Sequence, residues 1–178
     1  MIEKLNKKAM QLMKQNELES SHSLMATAEK RVGDLKQLLY FHGNQLQPDD
    51  YSAVKAITST FNNFGCLYKR LGKPQIAVKY VKNVLDIENQ LSSEIKNFEL
   101  ASTYINICTI YSEMSRHDIA LSYIKKALKF LEEDFDCRMH AMDPKEQKQF
   151  IQIFATAYHN AAVEYEFLHE RDTCLFYY

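Results

Sequence analysis

One pattern of small residues recurs four times along this chain of 178 residues, and it limits the possible fold more than any other feature. The second copy reads Phe61, Phe64, Gly65, Tyr68, Gly72, Ala77, Val81, Val84. The third reads Tyr104, Ile107, Cys108, Tyr111, Ser115, Ala120, Ile124, Ala127, with identical spacings. The first copy is Ala9, Leu12, Asn16, Ser21, Met25, Ala28, and the last is Tyr158, Ala161, Ala162, Tyr165, His169, Cys174, Tyr178. Two helices pack closely only where small side chains let their backbones approach. Ala9, Gly65, Cys108 and Ala162 supply that residue on a first helix, and Ser21, Ala77, Ala120 and Cys174 supply it on a second. Large apolar residues at helical spacing fill the places between, so each helix carries an apolar stripe toward its neighbour. The turn falls at Asn16, Gly72, Ser115 and His169. It is clearest at Gly72-Lys73-Pro74, where Gly accepts a left-handed helix end and Pro suits the first turn of the next helix.

Composition agrees with long helices and few turns: 4 Gly, 3 Pro and 46% apolar residues. The expected helices are Ile2–Gln15 and Leu18–Phe41, then Tyr51–Leu71 and Pro74–Leu91, then Glu94–Met114 and His117–Glu133, with a last first-helix over Pro144–Leu168. Between them lie a loop over His42–Asp50, ending on acids suited to capping, and a second over Phe135–Met142. Asp143-Pro144-Lys145-Glu146 then reads as a helix start, with Asp as cap and Pro at the first position. The fourth copy stops part way through its second helix on Cys174-Leu175-Phe176-Tyr177-Tyr178. An apolar, aromatic end of a helical array wants a cover, so the expectation is that further repeats or a partner cover it, and that the chain is the N-terminal part of a longer protein.

With 22 basic and 23 acidic residues, nothing in the charge points to nucleic acid or an anionic membrane as partner. No apolar run approaches the roughly 20 residues that span a bilayer, and the N-terminus lacks a secretory core. Four cysteines scattered singly suit free thiols in a reducing, cytoplasmic compartment.

The repeated frame resembles the tetratricopeptide repeat, in which two antiparallel helices form one unit of a helical array. The resemblance implies an all-α, right-handed helical-hairpin solenoid of about four pairs, the last incomplete, with repeats near 2–43, 51–92, 94–134 and 144–178 in a single domain. Gly65 and Cys108 stand 43 residues apart, beyond the roughly 34 of a minimal repeat, and an Asn precedes the small residue by two (Asn63, Asn106, Asn160). These features resemble the extended kinesin-light-chain type, where the recurring Asn lies on the inner face and can bond a peptide backbone. Positions three or four apart on that stripe are Ser59, Asn63, Cys66, Lys69 and Arg70, then Ser102, Asn106, Thr109, Ser112 and Glu113, then Thr156, Asn160, Val163 and Glu166. Such a polar stripe suits an extended or helical peptide, although Asn there can equally bond a neighbouring helix or face water. The carboxylate clamp of chaperone-binding relatives is incomplete: Lys7, Asn63 and Asn106 are in place, but the third repeat has Ser102 and Asn106 where Lys and Arg belong.

No enzymatic motif or cofactor site is legible. Cys137 and His140 have ligand-like spacing without the second pair that zinc needs, and His169-Glu170 lacks the second His of a zinc-protease helix. The expected function is a non-catalytic scaffold or adaptor that binds other proteins. The alternatives are an architectural subunit of a large assembly such as the ciliary axoneme, or the regulatory part of an enzyme whose catalytic part lies elsewhere.

Overall fold

The computed structural model describes residues 1–41, 48–90, 97–138 and 142–178, with side chains described except at 34–41, 48–51, 90, 97–98 and 136–138. Among these residues the chain is all-α: α1 (Ile2–Lys14), α2 (Leu18–Phe41), α3 (Pro48–Arg70), α4 (Pro74–Gln90), α5 (Asn97–Glu113), α6 (His117–Arg138), α7 (Pro144–Phe167) and α8 (Arg171–Tyr177).

The four turns share one geometry. Asn16, Gly72, Ser115 and His169 all have left-handed φ, at 64°, 67°, 56° and 61°. After each, the next amide reaches back five residues: Glu17 N to Leu12 O, Lys73 N to Tyr68 O and Arg116 N to Tyr111 O at 2.9 Å, and Glu170 N to Tyr165 O at 3.0 Å. The left-handed residue's own amide closes the inner bond, as in Gly72 N to Lys69 O at 3.1 Å. This is a Schellman ending, which satisfies carbonyls that the helix would leave open. Three of the four sites hold a residue with a Cβ in a conformation that costs an L-residue roughly 1–2 kcal/mol, so tertiary contacts hold these turns closed.

The second helix starts at once. Ser21, Ala77, Ala120 and Cys174 each donate an early intrahelical bond to a residue of the turn, such as Ala77 N to Lys73 O at 3.1 Å. Their side chains therefore sit where the two helices are closest. All four are buried, as are Ala9, Cys108 and Ala162. Ser21 Oγ donates to the Ala9 carbonyl at 2.9 Å, one repeat-packing residue bonding the other. At Gly65 a methyl would overlap Val81 Cγ2, so the close approach of α3 and α4 demands glycine mid-helix, where it otherwise lowers stability by about 1 kcal/mol.

Internal packing divides the chain into two compact units, Met1–Val84 and Leu85–Tyr178. The first is built on Ala9, Met13, Met25, Phe64 and Leu67, and α1 lies against α2 and α3. The second has a larger core running from Leu100 to Cys174 through Ile124, Leu131 and Phe150, with α7 against α5, α6 and α8.

Two expected boundaries move. The helix expected from Tyr51 begins at Pro48, a residue type that suits the first helical position. The helix expected to stop at Glu133 continues to Arg138. No Gly or Pro interrupts 134–138, and Phe135 packs beside Phe150 and Phe154 of α7, with centroids 6.4 and 5.6 Å away. The remaining parts of the two expected loops, at 42–47 and 139–141, lie outside the described residues, as does the helix start expected at Glu94. The helix start at Asp143 is as expected: its carboxylate accepts from the amides of Lys145 at 2.8 Å and Glu146 at 2.9 Å, with Pro144 at the first position.

Candidate functional site

Helical spacing puts residues three or four apart on a first helix on one stripe, and the structure fills that stripe largely with short polar side chains. On α3, Ser59, Asn63, Cys66 and Lys69 are half-buried and Arg70 is exposed. Arg70 is committed within the fold: its Nη1 donates to the Met13 carbonyl at 2.7 Å, placing a cation at the negative end of α1. Burial pushes the Cys66 thiol up, against the opposing pull of Lys69 and Arg70, so the thiol stays protonated and poorly nucleophilic.

In the second unit, Ser102, Asn106, Thr109 and Ser112 are half-buried on α5. The α7 stripe continues with half-buried Asn160 and Val163 and exposed Thr156. Because α5 and α7 pack side by side, these two sets belong to neighbouring first helices. Glu113 and Glu166, the acids ending the two stripes, are exposed. Thr109 Oγ1 donates to Asn106 O at 2.9 Å and Thr156 Oγ1 to Gln152 O at 2.7 Å, the local back-bonding open to Thr on a helix. Asn160 differs: its Nδ2 is enclosed and has no hydrogen-bond partner, an unsatisfied donor of the kind that native structures rarely leave.

Behind the stripe lies a device that the frame missed. Tyr80, Tyr123 and Tyr177 each follow the small residue of the second helix by three, as Tyr68, Tyr111 and Tyr165 follow that of the first. The two sets stack: Tyr68 on Tyr80 at 5.5 Å, Tyr111 on Tyr123 at 5.7 Å, and Tyr165 on Tyr177 at 5.3 Å, with interplanar angles of 12°, 7° and 20°. Two turns earlier, Phe61, Tyr104 and Tyr158 also contact the same second-helix rings, at 5.8, 6.1 and 5.4 Å. Of the four second helices, α4, α6 and α8 are thus each clasped by two aromatic rings of their first helix. This adds orientation to burial, since such pairs are worth ~0.5–1.5 kcal/mol beyond area. The recurrence was open to reading, because the three tyrosines share one spacing.

Buried charge was not legible. His117, opening α6, places Nδ1 2.7 Å from Oε2 of Glu164 on α7, so the imidazole donates to a carboxyl that is only 2% exposed. Phe167 stacks on the imidazole at 4.1 Å. Cys108, close to Glu164, is pushed up to about 12 by burial first and that carboxylate second. Glu88 is buried at the end of α4, and neither its Oε2 nor the nearby Thr103 hydroxyl completes a hydrogen bond. Burial raises its carboxyl to about 7, with Thr103 opposing the shift and Glu99 adding to it.

The chemistry such a surface offers is hydrogen bonding. Among the described residues no group of three or more His, Cys, Asp or Glu is placed to hold a metal ion, and no helix is long and apolar enough to cross a membrane. Cys137 and His140 lie outside the residues whose side chains are described.

Four helix pairs with small-residue contacts and identical left-handed turns define a helical-repeat protein. Residues 58–91, the second pair, match the model of the tetratricopeptide repeat, and the fold is that of a tetratricopeptide-repeat protein. No curated protein sequence matches the chain. Among solved structures, BtubC (BKLC) from P. vanneervenii, a kinesin-light-chain-like repeat protein, is similar over 99% of this chain with a TM-score of 0.68 and 18% identity. This chain spans 59% of the length of BtubC. MamA protein matches over 99% of this chain and 87% of its own, with a TM-score of 0.49 and 14% identity.

Proposed function

We propose that the chain is a non-catalytic scaffold that holds a segment of another protein along the polar stripe of its first helices. The observation that carries this reading is the recurrence of half-buried Asn63, Asn106 and Asn160 at one repeat position. An extended backbone offers carbonyls and amides at regular intervals, and Asn supplies both a donor and an acceptor. Ser59, Ser102, Ser112 and Thr109 beside them are short and hydrogen-bonding, so sequence preference in the ligand would be weak and backbone recognition strong. Free thiols at Cys66, Cys108 and Cys174 go with a reducing, cytoplasmic setting.

The test compares proteins recovered with the wild type and with the Asn63→Ala/Asn106→Ala/Asn160→Ala variant by affinity purification and mass spectrometry, with circular dichroism as the check on folding. Loss of a specific partner from a folded variant supports the stripe as the working surface. Retention of every partner overturns that assignment.

A further inference from the structure

The tyrosine stack recurs in both units, but the charge beside it does not. In the second unit two lysines of α6 lie over the rings. Lys126 Nζ stands 5.4 Å from the ring centre of Tyr123 and 5.9 Å from that of Tyr104. Lys125 Nζ stands 5.3 Å from the ring centre of Tyr165 on α7. Each is within the ~6 Å at which the electron-rich face of an aromatic ring attracts a cation. The repeat register gives the matching places in the first unit. Lys126 follows Tyr123 by three, and Asn83 follows Tyr80 by three. Lys125 follows Ala120 by five, and Ala26 follows Ser21 by five. Asn83 and Ala26 are exposed, and the rings of Tyr68 and Tyr80 are half-buried. Among the described residues no ammonium or guanidinium lies over either ring.

The first unit adds a carboxylate to the stack. Tyr80 Oη donates to Oε1 of half-buried Glu29 on α2 at 3.0 Å. Burial first and that bond second push the Tyr80 hydroxyl up, so the phenol keeps its proton and holds the contact. Phe64 and Tyr68 stack on Tyr80 at 4.7 and 5.5 Å and fix its plane. Two stacked rings and a carboxylate, drawn from α2, α3 and α4, thus stand where the second unit places its lysines. We propose that Tyr68, Tyr80 and Glu29 hold an arginine side chain of a partner protein. A guanidinium suits this set, because its plane stacks on aromatic rings while its N–H fork reaches a carboxylate. Its methylene stem gains apolar contact along the ring edges. The surface is distinct from the polar stripe: Tyr68 turns toward α2 and α4 through His22 and Tyr80, whereas the stripe runs through Asn63 and Cys66 of the same helix.

The experiment follows the ring resonances of Tyr68 and Tyr80 by nuclear magnetic resonance on the full chain as N-acetylarginine amide is added. Saturable shifts are expected. N-acetylcitrulline amide, which has the same shape without the charge, is expected to cause none. Ala26→Lys/Asn83→Lys supplies from within the ammonium groups of the second unit, and should raise the dissociation constant about tenfold or more. Ala26→Gln/Asn83→Gln adds bulk without charge and should leave the constant within about twofold. Both positions are exposed, so the variants keep their far-ultraviolet circular dichroism. Absence of shifts with the arginine amide, equal shifts with the citrulline amide, or an unchanged constant in the lysine variant overturns the proposal. An equal rise in the glutamine variant also overturns it, because bulk then explains the effect. The Asn63→Ala/Asn106→Ala/Asn160→Ala variant is expected to bind the amide normally, so failure here leaves the stripe assignment standing.

Discussion

Removing the imidazole of His117 tests how the second unit is held together. Glu164 is 2% exposed, and His117 Nδ1 lies 2.7 Å from its carboxylate. In His117→Ala the carboxylate keeps its place in the core and loses its donor, and breaking a buried pair from one side costs about 3–5 kcal/mol. For a protein of this size that is a fall in Tm of ~6–20 °C. Part of the loss is the stacking on Phe167 at 4.1 Å, which His117→Phe retains while still removing the bond. The double variant His117→Phe/Glu164→Leu should recover most of the stability, because replacing both members of a buried pair by apolar groups is often neutral. Leu is the residue this chain itself buries at the equivalent place, Leu67. The assay is thermal and urea unfolding followed by circular dichroism. A His117→Ala variant within about 1 kcal/mol of wild type, or a double variant whose losses simply add, would refute the reasoning.

Other outcomes follow from the same geometry. Gly65→Ala should destabilise by ~1–3 kcal/mol in urea unfolding, since overlap with Val81 Cγ2 outweighs the gain in helix propensity, and adding Val81→Ala should restore part of it. Ser115→Gly should stabilise by about 1 kcal/mol and Gly72→Ala should destabilise by about as much, because both residues hold left-handed φ; a zero effect at both would mean the turns relax freely. Glu88 is held near 7 in the folded state against an ordinary 4.5, so the folded state keeps a proton that the unfolded chain has lost between those values. Stability from this group therefore falls as pH rises from about 4.5 through about 7, by on the order of 3 kcal/mol at most. Glu88→Gln should match wild type in acid and exceed it at about pH 8, and a pH profile parallel to wild type would count against the assignment.

The fold class, the pairing of helices and all four turns were legible in the sequence, because each depends on residues close along the chain. A small residue on each of two helices, an apolar stripe on both and a left-handed residue between them are local marks, and Asn16, Ser115 and His169 could be placed by register although none is glycine. The aromatic clasp shared that register and was readable in Tyr80, Tyr123 and Tyr177. Tertiary structure alone decided the rest. That α6 runs on to Arg138 depends on Phe135 finding Phe150 and Phe154 across the fold. Asn6 meets Thr60, Arg70 serves the end of α1 at Met13, and Glu164 needs His117. Each of these bonds joins one helix pair to the next, where the partner is chosen by how the pairs seat on each other. A helix repeats its own hydrogen bonds every turn and so advertises itself in sequence; a side chain reaching across to another pair leaves no periodic trace.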